Sequence, residues 1–376
     1  MKKWTALLLT LVLCMGLMPA MAADDTIKIG GIGCLTGSAA MYGIGVQKGI
    51  DLYIDTINAN GGIDGKNVEM IWYDGEGDSA KSTDAYNRLV YNDGVVALLG
   101  PVLTGVTEAV ADYAAADGIP MITPSATAYY ITTDRPNVFR TCFLDPFQAV
   151  SMANFSKDEF DAKNMAVLYL DGDEYSEGLK DAFVAQAEQN GQTIVAVEAT
   201  ATGDVDYKTQ LTKIKETNPE VVFLPYYGDV AALILAQAAE IGLETKFIGA
   251  DGISSIAGSI ADKTLLQNLW YSDHFTNSAD SELVKKFLAD YQTKYNEMPS
   301  ISFSATAYDA ALVLTEAIKT AGSTEPQAIV DALKATNVEG VSGKISYDDH
   351  NDPIKSAFIL NFDAEGNQVF VKQQNP

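Results

Sequence analysis

The chain has 376 residues, 47% of them hydrophobic and 20% charged, with 50 acidic against 25 basic side chains and a formal net charge of −25. That length is too great for one ordinary core and suits two domains. The charge repels nucleic acid and anionic lipid and favours a soluble monomer. Three cysteines are too few for a disulfide framework, and the two histidines, His274 and His350, lie far apart with no C-x-x-C or H-x-x-x-H spacing. No metal and no cofactor is expected from such a set.

Lys2 and Lys3 precede an apolar stretch, 4–18, and Ala20-Met21-Ala22 has the small-x-small form of a cleavage site. This is the layout of a secretory signal peptide, expected to span 1–22. Its apolar stretch is too short to cross a bilayer comfortably. Lipidation at Cys14 is disfavoured by the bulky Leu13 before it. Cleavage removes two lysines and no acid, which takes the net charge from −25 to −27, and implies an extracytoplasmic protein. Cys34 and Cys142 remain, in separate segments; free buried thiols are the expectation, and a pair formed outside the cytoplasm is the alternative.

The mature chain alternates. Strand patterns at 27–34, 68–73, 95–99 and 120–123 are separated by helical patterns at 42–58, 79–91 and 106–116. The series restarts with a helix at 146–160. Strands follow at 165–170, 193–198, 221–224 and 247–249, with helices at 175–189, 207–217 and 230–241 between them. Such alternation implies α/β architecture, with parallel sheets covered on both faces. The later chain breaks the rhythm. A strand at 269–274 precedes helices at 281–295, 304–321 and 326–335, and a hairpin pairs 357–362 with 369–371. A long helical segment at that place suggests a return to the first domain.

Three chemistries can be weighed. Gly30-Gly31-Ile32-Gly33-Cys34-Leu35-Thr36-Gly37 follows a strand, and Asp74 could mimic a ribose-binding acid, but the G-x-G-x-x-G spacing and a Gly-Lys-Ser/Thr ending are missing. Ser125 and Ser302 lack a nucleophile elbow and a histidine partner, so a secreted enzyme is not the expectation. Recognition of a zwitterion fits better. Gly100-Pro101-Val102-Leu103-Thr104-Gly105 and Pro120-Met121-Ile122-Thr123-Pro124-Ser125-Ala126-Thr127 release hydroxyls and backbone N–H groups at strand ends, which suits a small carboxylate. Thr104 and Thr127 could meet the carboxylate, and Asp251 the ammonium. Tyr42, Tyr175 and Tyr226 could wall the side-chain slot. All lie at C-terminal strand ends or helix starts, where α/β sheets bind ligands. Three or four charge-assisted hydrogen bonds of about 1.5–3 kcal/mol each reach the roughly −8 kcal/mol of micromolar affinity.

At these residues the chain resembles the periplasmic leucine/isoleucine/valine-binding family, the solute receptors of branched-chain amino acid ABC transporters. The likeness rests on Leu35-Thr36-Gly37, Ile57-Asn58-Ala59-Asn60-Gly61-Gly62-Ile63, Tyr73-Asp74, Leu99-Gly100-Pro101, Pro124-Ser125-Ala126-Thr127, Phe139-Arg140-Thr141, Tyr175-Ser176-Glu177-Gly178 and Tyr226-Tyr227-Gly228-Asp229, in that order. It implies a two-lobe type I periplasmic binding fold with three hinge crossings. Residues 24–143 and 276–350 would form the N-terminal lobe, and 144–275 and 351–376 the C-terminal lobe. It places carboxylate-binding hydroxyls on Thr104 and Thr127, a carbonyl that meets the ammonium on Ser125, and the acidic partner on Asp251, often Glu in the family. The aromatic contacts fall on Tyr42, Tyr175 and Tyr226, with Tyr227 replacing the last if the alignment slips by one.

The implied ligand is a branched-chain or other aliphatic amino acid, and the implied partner a membrane permease. There are departures. Asp251 is one methylene shorter than Glu, Ser125 adds a hydroxyl where Gly or Ala is common, and Gly77 and Leu103 stand where some members have a disulfide. A same-fold receptor for an amide, urea-like or aromatic ligand is the alternative, and the acid at Asp251 argues against it. A receptor ectodomain would need a membrane span before the chain ends at Pro376.

Overall fold

The structure, a computed structural model, describes residues 26–376; the expected signal peptide lies outside the described residues. Its first body is a five-stranded parallel sheet in the order β2-β1-β3-β4-β5, built from β1 (Thr26–Gly33), β2 (Asn67–Asp74), β3 (Ala97–Leu99), β4 (Met121–Thr123) and β5 (Val138–Arg140). Helices α1 (Ala40–Ala59), α2 (Ser79–Arg88) and α3 (Thr104–Asp117) connect the strands. Both sheet faces are covered: all three residues of β3, β4 and β5 are buried. Asp74, weighed above as a ribose-binding acid, organises a turn instead. Its carboxylate accepts from Leu35 N–H at 2.8 Å, Glu76 N–H at 2.9 Å and Thr36 Oγ1 at 2.6 Å.

The second body follows α4 (Asp145–Phe160), which starts on Asp145-Pro146 as a helix N-terminus prefers. Its seven-stranded sheet includes β6 (Asn164–Leu170), β7 (Thr193–Thr200), β8 (Val221–Leu224), β9 (Lys246–Gly249) and β10 (Leu269–Asp273), all parallel in the order β10-β9-β8-β6-β7. Helices α5 (Glu174–Gln189), α6 (Lys208–Glu216) and α7 (Gly228–Glu240) cover it.

The chain then returns to the first body through α8 (Glu282–Tyr295), α9 (Phe303–Ala321) and α10 (Pro326–Lys334). Ile301, Phe303, Leu314, Ile329 and Leu333 join Ile29, Val46, Leu99 and Phe139 in one apolar core. Helix α9 lies hard against α1 because α1 carries glycine at the contact: a Cβ on Gly49 would sit 2.1 Å from the Ser304 carbonyl oxygen. A small hairpin, β11 (Asn337–Gly340) with β12 (Gly343–Ser346), completes this body, and β13 (Ala357–Phe362) and β14 (Gln368–Gln374) add antiparallel strands to the edge of the second sheet.

The chain therefore crosses between the bodies three times, near 141–145, 274–281 and 355–357. The third crossing is later than the expected 350/351 boundary. Asn351 Nδ2 donates to Val138 O at 3.0 Å, Asp352 pairs with Arg140 Nε at 2.7 Å, and Lys355 Nζ donates to Thr141 O at 2.9 Å, so this segment stays fastened to the first body. Cys34 and Cys142 are free and buried. Burial raises their thiols to about 11 and about 12. Among the described residues no helix is long and apolar enough to cross a membrane.

Candidate functional site

The parallel strands of the two sheets aim their C-terminal ends at the gap between the bodies, so the loops leaving those ends meet there. On the first body, two loops are laced together. Thr123 Oγ1 donates to Pro101 O at 2.9 Å, and Ser125 Oγ donates to Val102 O at 2.8 Å. The Ser125 hydroxyl is therefore spent on structure. Thr104, the first residue of α3, is buried beside this lacing. Thr127 is fully buried, yet its hydroxyl has no hydrogen-bond partner among the described residues. It does not hang loosely: Arg140 donates to Ala126 O and Ala128 O, both at 2.9 Å, and so clamps the backbone on either side of it.

On the second body, β9 ends in a 3-10 turn, Asp251–Ser255, that buries Asp251. Its Oδ1 accepts from Tyr175 OH at 2.7 Å and Gln148 Nε2 at 2.9 Å, and its Oδ2 lies 2.9 Å from His274 Nε2. Three donors on one carboxylate leave a single unused lone-pair direction, on Oδ2. Tyr175 is free to donate because its oxygen accepts the Gly252 N–H at 2.8 Å. Gly252 is required for this approach, since a Cβ there would lie 2.8 Å from Tyr175 OH and 2.9 Å from Tyr226 O. Asp173 caps α5 by accepting from Ser176 N–H at 2.8 Å, which presents Tyr175 at the first turn.

Tyr42, from α1 of the first body, reaches across. Its hydroxyl donates to Gly252 O at 2.6 Å, accepts the Gly228 N–H at 2.7 Å, and lies 2.8 Å from Ser255 Oγ. The aromatic beside it is Tyr227, which stacks on Tyr175 with centroids 5.1 Å apart and meets Tyr42 edge-on at 5.4 Å. Tyr226 points the other way. Its hydroxyl pairs with Thr200 Oγ1 at 2.8 Å inside the second body's core, among Leu168, Tyr207 and Leu224. Adjacent residues leaving a strand face opposite sides, so of the two candidates Tyr227 joins the cluster and Tyr226 does not. Phe303 adds a further ring, 5.8 Å from Tyr42.

Three polar residues at this junction were missed in the sequence. Asp145 begins α4, buried, with its N–H on Thr127 O at 2.9 Å. Its Oδ1 accepts from Gln148 Nε2 at 2.8 Å, and Oδ2 has no partner among the described residues. The Thr127 hydroxyl is near this carboxyl without forming an aligned hydrogen bond to it. Burial first, and the charge of Asp251 second, raise the Asp145 carboxyl to about 8. Gln148 bridges the two acids and fixes the Asp251 backbone, with Oε1 3.1 Å from its N–H. His274 packs on Phe143 with ring centroids 3.7 Å apart, and burial pushes its imidazole below the ordinary value, partly offset by Asp251. Asp145 reads in sequence as an ordinary helix-start acid and His274 as a strand end; only their meeting in space gives them a role. The arrangement can hold a small polar molecule with a cationic end. It contains no nucleophile paired with a base.

The chain matches the family model described as "Periplasmic binding protein" over residues 26–367. It is 32% identical over 347 residues to a leucine-, isoleucine-, valine-, threonine- and alanine-binding protein of Pseudomonas aeruginosa, covering 91% of this chain and 89% of that protein. Among solved structures it is similar to the branched-chain amino acid transporter substrate binding protein LivJ of Streptococcus pneumoniae in complex with isoleucine, with 31% identity, a TM-score of 0.87, and coverage of 93% of this chain and 99% of that one. A solute binding protein of R. palustris in complex with benzoate shares the fold at 21% identity and a TM-score of 0.84, covering 93% of this chain and 97% of that one. Two parallel-sheet lobes, three crossings and a polar site between them agree with these likenesses: the chain belongs to the periplasmic binding protein family.

Proposed function

We propose that this chain is the extracytoplasmic receptor of an ABC transporter for branched-chain and other aliphatic amino acids, secreted through a cleaved signal peptide spanning 1–22, acting as a monomer and delivering its ligand to a membrane permease. It binds and does not transform. The observation that carries the reading is a pair of buried, unpartnered polar groups, Thr127 Oγ1 and Asp145 Oδ2, at a junction that also holds Asp251. A buried polar atom without a partner costs about 1–3 kcal/mol, and a zwitterion supplies what both lack. In this reading Thr104, Thr127 and the N-terminus of α3 take the carboxylate. The Ser125 carbonyl, Asp145 and the remaining lone pair of Asp251 take the ammonium. Tyr42, Tyr175, Tyr227 and Phe303 wall the aliphatic side chain.

The aromatic walls could also stack a ring, as a benzoate-type ligand would need. Two buried carboxyl groups with no cation free beside them among the described residues count against a ligand that is only an anion: Arg140 is committed to carbonyls and Asp352, and Lys355 to Thr141 O and Ser342. Calorimetry on ligand-stripped protein with leucine, isoleucine, valine, alanine and benzoate separates the readings. Heat and a thermal shift are expected with the amino acids. Silence with all four amino acids rejects the proposal.

A further inference from the structure

We propose that His274 is a positioning residue of the ligand site: its Nε2–H holds Asp251 Oδ2 in place for the ligand's ammonium, and the protonated imidazole competes with that ammonium, so that acid pH releases the ligand. The inference rests on the reading of the site given above. The geometry that carries it is specific. His274 leaves the end of β10 at the second crossing, fully buried, with Nε2 2.9 Å from Asp251 Oδ2. The other oxygen of Asp251 already receives Tyr175 OH and Gln148 Nε2. Oδ2 therefore has room for one donor besides His274, and the ligand's ammonium takes that place. The ring is wedged against Phe143 of the first crossing and faces Phe303 of α9 at 5.9 Å, so it touches elements that must come together when the lobes close. Its Nδ1 has no partner among the described residues, which leaves Nδ1 as the seat for a second proton.

The charged and titratable groups around the ring set the sign. Asp251 on Nε2 favours the imidazolium, while burial and the Lys355 ammonium of the third crossing oppose it. Asp273, next in the chain, is held well above the ordinary carboxylate range by burial, and its neighbour Ser302 lies on the far segment. Asp145, joined to the pair through Gln148, and the Cys142 thiol are both raised, chiefly by burial. Tyr175, the other donor to Asp251, is also raised by burial and stays a phenol. The imidazole is thus neutral at pH 7. Without ligand, acidification charges it against Asp251. With an ammonium already on Asp251, charging it is harder. The ligand-free protein then binds the extra proton more readily, so this group makes affinity fall as pH falls through the imidazole's range and adds no slope above it.

The chain has only two histidines, and the other, His350, is exposed, so ring resonances of untagged protein report His274 directly with His350 as the internal control. The His274 midpoint is expected to move to lower pH when leucine is added; an unmoved His274 overturns the inference. Leucine affinity is then followed from pH 8 to 4.5 in the wild type and in His274→Gln, which keeps an N–H donor but cannot titrate. Normalised at pH 8, the wild type is expected to lose up to about tenfold more affinity per pH unit below the imidazole midpoint. Any contribution from Asp145 is common to both proteins. Superimposable profiles overturn the inference and leave the amino-acid reading standing, whereas absence of leucine binding by the wild type at pH 8 removes that reading itself. His274→Leu, which keeps the packing on Phe143 and loses the donor, is expected to bind more weakly at every pH; full affinity there also overturns the positioning role.

Discussion

Thr127→Val should move stability and affinity in opposite directions. The Thr127 side chain is fully buried and its hydroxyl makes no hydrogen bond among the described residues. Valine replaces that hydroxyl by a methyl of nearly the same shape. In the ligand-free protein no bond is lost and one unsatisfied buried group disappears, worth about 1 kcal/mol or more. For lobes of this size that is a rise in Tm of roughly 2–4 °C per kcal/mol. The liganded protein loses a hydrogen bond to a charged carboxylate, about 1.5–3 kcal/mol, or roughly 10- to 150-fold in Kd. Scanning calorimetry on stripped protein and titration with leucine read the two effects separately. A variant that binds leucine as tightly as the wild type would show that Thr127 does not touch the ligand. A variant that melts lower without ligand would show that the hydroxyl serves Asp145 and is structural.

Asp251→Asn is expected to weaken amino-acid binding by roughly 10- to 150-fold and also to lower the melting temperature, because an amide cannot accept from Tyr175, Gln148 and His274 together; titration and a melt on one sample check both. Tyr42→Phe removes a hydroxyl that joins α1 to Gly228, Gly252 and Ser255, and should lower affinity and shift small-angle scattering of the liganded protein toward a more open form. Tyr226→Phe removes only the bond to Thr200, so about 1 kcal/mol of stability is lost and leucine affinity stays at the wild-type value. The Asp145 carboxyl is raised to about 8 in the fold against about 3.9 unfolded. Between those values the folded chain holds a proton that the unfolded chain does not, so this group makes stability fall as pH rises from about 4 to 8. Asp145→Asn should flatten that slope in melts of ligand-free protein, raising Tm at pH 8 more than at pH 5; an unchanged slope would mean that another group sets it.

Much of the fold was legible because many strands are short apolar runs and the helices between them carry apolar stripes: 221–224 in the parallel sheet and 357–362 on its antiparallel edge were read to the residue. The failures have local causes. β5 has three residues between Asn137 and Thr141, too few for any period to show. The hairpin Asn337–Gly340 with Gly343–Ser346 alternates weakly and buries little. The helix read over 79–91 ends as an α-helix at Arg88 and continues as a wider turn, Leu89–Asp93, to Gly94 in the left-handed conformation. At the site, Asp251, Tyr175 and Tyr42 were visible as polar or aromatic residues at strand ends and helix starts. Tyr226 was placed at the site by the resemblance, with Tyr227 as the alternative if the alignment slips by one; which of the two faces the gap is decided by the backbone just past the strand, and no sequence pattern shows that. Asp145, Gln148 and His274 carry no motif at all. They matter through distances across 103 and 23 residues of sequence, which no local pattern encodes.

The buried charges at the crossings fasten the backbone on the first body's side of the gap. Arg140 is fully buried and pairs with Asp352 at 2.7 Å. Such a pair adds little net stability over apolar packing, since desolvation offsets attraction, so its value is sought in what it positions. The same guanidinium holds Ala126 O and Ala128 O, which flank Thr127, and Asp352 also accepts from Thr132 Oγ1 at 2.9 Å. Lys355 ties the next turn of that segment to Thr141 O at 2.9 Å. These bonds all lie on the first body's side of the first and third crossings. Beyond them lie only 142–144 on the first crossing and 356 on the third before α4 and β13 begin. The loop that carries Thr127 belongs to the first body, while Asp251 and Tyr175 belong to the second. Tyr42, with its hydroxyl on Gly228 and Gly252, joins the two bodies directly.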